Sequence, residues 1–196
     1  MAYGLIPTKS GNGGVGAART NELSNKYTIA AGYATALYPG DPVYKVADGS
    51  IAAATATTGA LLGVFAGCQY RTASGEVIYG PWNASATTNT DIRAEVYDGR
   101  YNVYTIEADQ VGTALTATTE GELANVLTSA DGAGGNATTK QSIQALDTST
   151  LSASADTQFR VLGSAEIDEG YTAAGTAMDV YVMINQHQYD TAVAGV

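Results

Sequence analysis

Arg93-Ala94-Glu95-Val96-Tyr97-Asp98-Gly99-Arg100-Tyr101-Asn102-Val103-Tyr104-Thr105-Ile106-Glu107 is the stretch that decides the fold class. On both sides of Asp98-Gly99-Arg100 the side chains alternate in steps of two. A strand sends successive side chains to opposite faces, so this periodicity predicts two strands. Asp-Gly between alternating runs is hairpin turn chemistry, and the segment is therefore expected to be a β-hairpin.

Reading outward, Lys26-Tyr27-Thr28-Ile29-Ala30 alternates in the same way, and Tyr38-Pro39-Gly40-Asp41-Pro42 is a dense turn signal. Val43-Tyr44-Lys45-Val46 reads as a strand closed by the turn pair Asp48-Gly49. Leu61 to Tyr70 is a continuous apolar run and is expected to be the central core strand, with Gly63 and Gly67 marking a bulge or a close backbone contact. Phe159-Arg160-Val161-Leu162-Gly163 and Met178 to Asn185 supply late strands, and Thr128 to Thr139 reads as a loop. Glu120 to Thr128 has the wording for two helical turns, although Gly121 and the Thr-rich flanks oppose a longer helix.

With about eight to ten short strands and almost no helix, the expected class is all-β. The architecture is a single β-barrel or β-sandwich domain with an extended N-terminal arm. Residues 1–24 form that arm and 25–196 the β-rich domain, within which 112–157 is loose Gly/Thr/Ser wording rich in loops.

The arm carries an apolar patch, Tyr3 to Pro7, ahead of the Gly-rich Ser10-Gly11-Asn12-Gly13-Gly14-Val15-Gly16. Either it is a frayed tail, or something outside the domain core holds it. On the second reading Tyr3, Leu5, Ile6 and Pro7 are anchors on a neighbouring molecule. Trp82, in the Gly80-Pro81-Trp82 turn, is expected to cap the core or to fill a neighbour's pocket. These five residues are the protein-interface candidates.

Composition points the same way. Only 14% of the 196 residues are charged, and 13 of the 16 Phe, Tyr and Trp residues are Tyr. Low charge with many tyrosines suits faces that meet other proteins, and equally a β-protein with many Gly/Thr turns. The net charge of −10, with Lys and Arg scattered, argues against nucleic acid as a partner. No apolar run is long enough for a membrane span, and the first residues lack the basic-then-apolar pattern of a signal peptide.

Chemistry-bearing residues are scarce. His187 is the single histidine, and no Gly-x-Ser-x-Gly turn is present to offer a nucleophile. Cys68 sits in an apolar run and is expected to be inert. One His and one Cys cannot assemble a zinc site of the usual kind. Calcium has no Asp-x-Asx-x-Asx-Gly loop to occupy, and Asp168-Glu169 is the only adjacent acidic pair. Gly11 to Gly16 fits Gly-x-Gly-x-x-Gly literally, yet no strong strand precedes it and Ala17-Ala18-Arg19-Thr20-Asn21 makes a poor helix, so the loop reading prevails. Asn83-Ala84-Ser85 and Asn136-Ala137-Thr138 are formal glycosylation sequons only. No catalytic residue, metal or cofactor is expected, and the chain reads as a non-enzyme.

Several stretches together resemble a family of small virion structural proteins of tailed bacteriophages. They are Gly4-Leu5-Ile6-Pro7, Lys26 to Ile29, Ala34 to Val43, Leu62 to Cys68, Phe159 to Gly163, and the ending Val180 to Tyr189. The likeness runs end to end in order, with residues 112–157 departing from it. It implies a head-decoration (cement) protein on the outer surface of the capsid, with the major capsid protein as partner and self-association, often as trimers. A head–tail connector or tail-tube subunit is the structural alternative, and a carbohydrate- or receptor-binding β-module the next. The latter should carry an exposed aromatic platform.

Overall fold

A computed structural model of the protein describes residues 3–9, 25–30, 32–82, 90–109, 113–127, 135–136, 138–152, 157–165 and 177–190. Among these described residues fourteen strands follow in chain order. The first seven are β1 (Ile6–Lys9), β2 (Asn25–Ile29), β3 (Pro42–Lys45), β4 (Ser50–Ala53), β5 (Gly63–Arg71), β6 (Val77–Gly80) and β7 (Thr90–Tyr97). Next come β8 (Val103–Ala108), β9 (Leu123–Leu127), β10 (Gly135–Asn136), β11 (Gln141–Ser142), β12 (Ala145–Ser152), β13 (Phe159–Ser164) and β14 (Met178–Ile184). The only helical turn among the described residues is a 3-10 turn at Ala117–Thr119. The all-β class stands.

The first set of strands runs β3-β4-β2-β7-β5, and a β3–β5 pairing closes it into a five-stranded barrel with β6 outside on β5. β5 is long enough to serve two neighbours on one edge: it pairs with β3 at Val64 and Gly63, then with β6 from Cys68 to Arg71. Both expected glycine roles are present in it. A side chain at Gly63 would collide with the Tyr97 carbonyl, and the β5–β7 register slips between Phe65 and Gly67, where φ is +143°. The inward face of this barrel is Ile29, Leu37, Val43, Ile51, Leu62, Phe65, Ala94 and Val96.

The second set, β8-β12-β9-β13-β14, also returns on itself through β8–β14. β1 adds to β8 beside β12, at Ile6↔Thr105 and Pro7↔Tyr104, while β12 meets β8 at Leu146↔Ala108. Its core gathers Tyr104, Ile106, Leu146, Phe159, Val161, Val180 and Val182, and extends to Ala54, Leu61 and Val64 of the first barrel. One continuous apolar contact thus joins the two units. At about 1.5–3 kcal/mol per buried large side chain, this interior is the main stabilising term.

Two sequence expectations need correction. β7 and β8 are strands, but they form no hairpin: β7 pairs with β2 and β5, and β8 with β1, β12 and β14. Both edges of β7 are occupied, so residues 98–102 cross from one barrel to the other. The helical wording of Glu120 to Thr128 is strand β9, held between β12 and β13. The loose stretch 112–157 also supplies β12. There Thr148, fully buried, binds Asp109 Oδ1 through its amide (3.0 Å) and its hydroxyl (2.8 Å).

Candidate interaction surface

The described part of the arm, residues 3–9, lies on its own chain. The Gly4 amide donates to the Gln144 carbonyl at 3.1 Å, and the Leu5 amide donates to the Gly40 carbonyl at 3.0 Å. Gly4 has φ +75°, and a Cβ there would strike the Ser142 side chain, so only glycine lets the strap lie this close. Leu5 then plunges into the core of the second barrel with 1% exposure. Its expected role as an anchor on a neighbour is corrected for this reason: an apolar side chain this buried contributes to its own fold. The next residue points the other way, and Ile6 is 49% exposed.

Beside the strap opens a cleft of about 310 Å³. It is lined by Tyr3, Leu5, Ile6 and Pro7 from the arm and by Phe65 and Tyr97 from the first barrel, among others. Four of the five interface candidates therefore converge on one apolar cleft. The fifth does not. Trp82 is buried in the first barrel, where its Nε1 donates to the Tyr33 carbonyl at 3.1 Å and its ring meets Tyr70 edge-on at 5.8 Å. Of the two roles expected for it, the structure shows the core one.

Asp41 lies beneath the strap. It is 2% exposed; its Oδ2 accepts the Tyr38 amide at 2.8 Å, and its Oδ1 has no hydrogen-bond partner among the described residues. Burial raises its carboxyl to a pKa of about 6, against the opposing pull of the Ser142 side chain and the Tyr38 amide. No sequence signal singled it out, because a Pro-Gly-Asp-Pro turn reads as surface.

No family model, curated protein or solved structure matches this chain. Function has to be argued from the surfaces themselves.

His187 sits where the two barrels meet, bridging to Leu61. Burial holds its imidazole below the ordinary value, and Nδ1 accepts the Tyr189 amide at 3.2 Å, which requires that nitrogen to be unprotonated. Around it, Tyr27 donates its hydroxyl to Asp98 Oδ2 at 2.6 Å and meets the Tyr189 hydroxyl at 2.7 Å. Arg100 pairs with Asp190. These residues, drawn from β2, the 98–102 crossing and the 187–190 segment, were not singled out as a group in the sequence, where their spacing of up to 162 positions hides them.

Cys68 is buried, its thiol pushed up to about 12 by burial, with Sγ directed at the Gly80 carbonyl at 3.4 Å. The Gly-rich motif at 11–16, the Asn83 sequon, Ala137 of the second sequon and the acidic pair at 168–169 lie outside the described residues.

Proposed function

We propose that this protein is a decoration (cement) protein on the outside of a tailed-phage capsid, bridging major capsid subunits and acting as a homo-oligomer. The observation that supports the reading best is the cleft beside the strap. Exposed Ile6 stands at its rim with Tyr3 and Pro7, beside apolar walls supplied by Leu5 of the strap and by Phe65, Ala66 and Tyr97 of the first barrel. An apolar cleft rimmed by aromatic and aliphatic side chains takes an anchor side chain from a partner surface. The low charge of the chain and the likeness of its ordered segments to small virion proteins add to this.

The mechanism is mass action. A protein that binds the assembled shell and not its separated subunits stabilises the shell by RT ln(1 + [L]/Kd), about 2.7 kcal/mol per site at a hundredfold excess over Kd. Rigid β-barrels suit the task because they transmit load without rearranging.

The test is to mix the purified protein with undecorated heads and count bound copies. Hundreds of copies per head, with raised resistance to heat, support decoration. Six or twelve copies support the connector or tail reading, and absence of binding overturns both. Deleting residues 2–16 and replacing Ile6 by Asp should each abolish binding; unchanged occupancy in both would remove the strap from the mechanism.

A further inference from the structure

We propose that the surface formed by Tyr101, Arg100, Asp190 and Tyr189 is a carbohydrate-binding site for neutral hexopyranose rings, separate from the strap cleft. Tyr101 and Tyr189 are 56% and 53% exposed, the most exposed aromatic side chains among the described residues apart from Tyr79. They belong to one continuous structure. The Arg100 guanidinium lies 5.6 Å from the centre of the Tyr101 ring and pairs with Asp190, the residue after Tyr189.

The site is built before any ligand arrives. The single hydroxyl hydrogen of Tyr27 goes to Asp98, so in the contact between the two phenols Tyr189 is the donor. Burial and the bond to Asp98 hold the Tyr27 phenol far above its ordinary pKa, which keeps its hydrogen on the Asp98 carboxylate. The Tyr189 ring also rests 5.5 Å from the His187 ring, and its amide is tied to His187 Nδ1. A ring fixed at its hydroxyl and along its side loses little rotamer freedom when something stacks on it.

The chemistry fits a sugar better than other ligands. A pyranose offers a face of C–H groups to the electron-rich face of a tyrosine and a rim of hydroxyls to carboxylates and guanidinium. The Arg100–Asp190 pair is partly exposed, at 44% and 29% of the side chains, and Arg100 has further N–H donors to offer a hydroxyl rim. A protein partner would expect an apolar centre depleted in charge. Yet among the described residues the large exposed aliphatic side chains, Ile6, Val77, Ile143 and Leu162, lie on other segments. One Arg against Asp98 and Asp190 leaves this surface net negative, which disfavours acidic sugars and phosphates.

The experiment presents the full-length protein, in multivalent form, to a printed array of neutral and acidic oligosaccharides. It is then repeated with Tyr101→Ala, Tyr189→Ala, Arg100→Ala and the control Tyr79→Ala, which removes a still more exposed ring on β6. Unchanged thermal melting identifies variants that keep the fold. The expected result is retention of neutral hexose oligosaccharides that is insensitive to added salt. It should fall at least tenfold in either patch tyrosine variant, fall several-fold in the arginine variant and persist in the control. Absence of neutral-glycan retention, retention of acidic glycans alone, or equal retention by the Tyr101→Ala/Tyr189→Ala double variant would overturn the proposal. So would tyrosine variants that lose binding to phage heads while keeping glycan binding, since the patch would then be a protein contact.

Discussion

Gln188 stands in for a strand beside Lys45: its Oε1 accepts the Lys45 amide at 2.6 Å, and its Nε2 donates to the Lys45 carbonyl at 3.0 Å. β3 pairs with β5 only at Pro42 and Val43, so without this amide the far end of β3 would have an unmatched edge. Backbone bonds at Leu61, to Gln186 and from Gln188, continue the same seam. Replacing Gln188 by Ala should lower stability by about 1–3 kcal/mol, since it strands a donor and an acceptor at a partly buried position. Gln188→Glu should cost more, because a carboxylate oxygen then faces the Lys45 carbonyl. Urea denaturation of the two variants measures both effects.

Leu5 and Ile6 are neighbours with opposite fates, which separates folding from docking. Leu5→Ala should destabilise the fold by about 2–5 kcal/mol through a core cavity. Ile6→Ala should leave stability within about 0.5 kcal/mol, as expected for a surface position. On the proposed function the ranking reverses for head binding at a temperature where both variants are folded, with Ile6→Ala the weaker binder. Co-sedimentation with heads, alongside thermal melts, reads the two orders.

The Asp41 carboxyl has a folded pKa raised from 3.8 to about 6, so burial disfavours its charged form. Its contribution is fully present below pH 3.8 and is lost as pH rises through 6. Asp41→Asn, which keeps an acceptor for the Tyr38 amide, should therefore stabilise the protein near pH 7.5 by up to about 3 kcal/mol. Relative to the parent, that gain should vanish toward pH 4. A gain independent of pH would show that the effect is not the ionisation of Asp41.

Cys68, buried and with its thiol pushed up to about 12, should stay unmodified by a thiol-exchange reagent at pH 8 in the folded protein. It should react at the rate of an ordinary cysteine once urea unfolds the chain. Fast reaction under native conditions would mean that β5 and β6 separate readily at Gly80, whose carbonyl faces the sulfur.

Local periodicity made most strands legible, including Val43 to Lys45, Leu61 to Tyr70 and Met178 to Asn185. What it lacked was the identity of each strand's neighbour. Asp98-Gly99 has the chemistry of a tight turn, but a turn forms a hairpin only if the strand edges beside it are vacant. Here β2 and β5 already flank β7. β12, worded Ala-Leu-Asp-Thr-Ser-Thr-Leu-Ser, escaped notice because its place depends on Asp109 gripping Thr148 rather than on β-branched apolar side chains. The apolar patch at Tyr3 to Pro7 was readable as a set of anchors, though nothing local says whose core receives Leu5. The platform at Tyr101 and Tyr189 joins segments too far apart for any window of sequence to unite.

The strap has a consequence for how the protein comes into being. Its seat is made by Val103 to Thr105 on one side and by Gln144 on another, all synthesised long after it. Until those residues have emerged from the ribosome, Leu5 has no seat. The strap is thus among the last parts to dock, and a cut within 98–102 would leave β1 on one fragment and its partner β8 on the other.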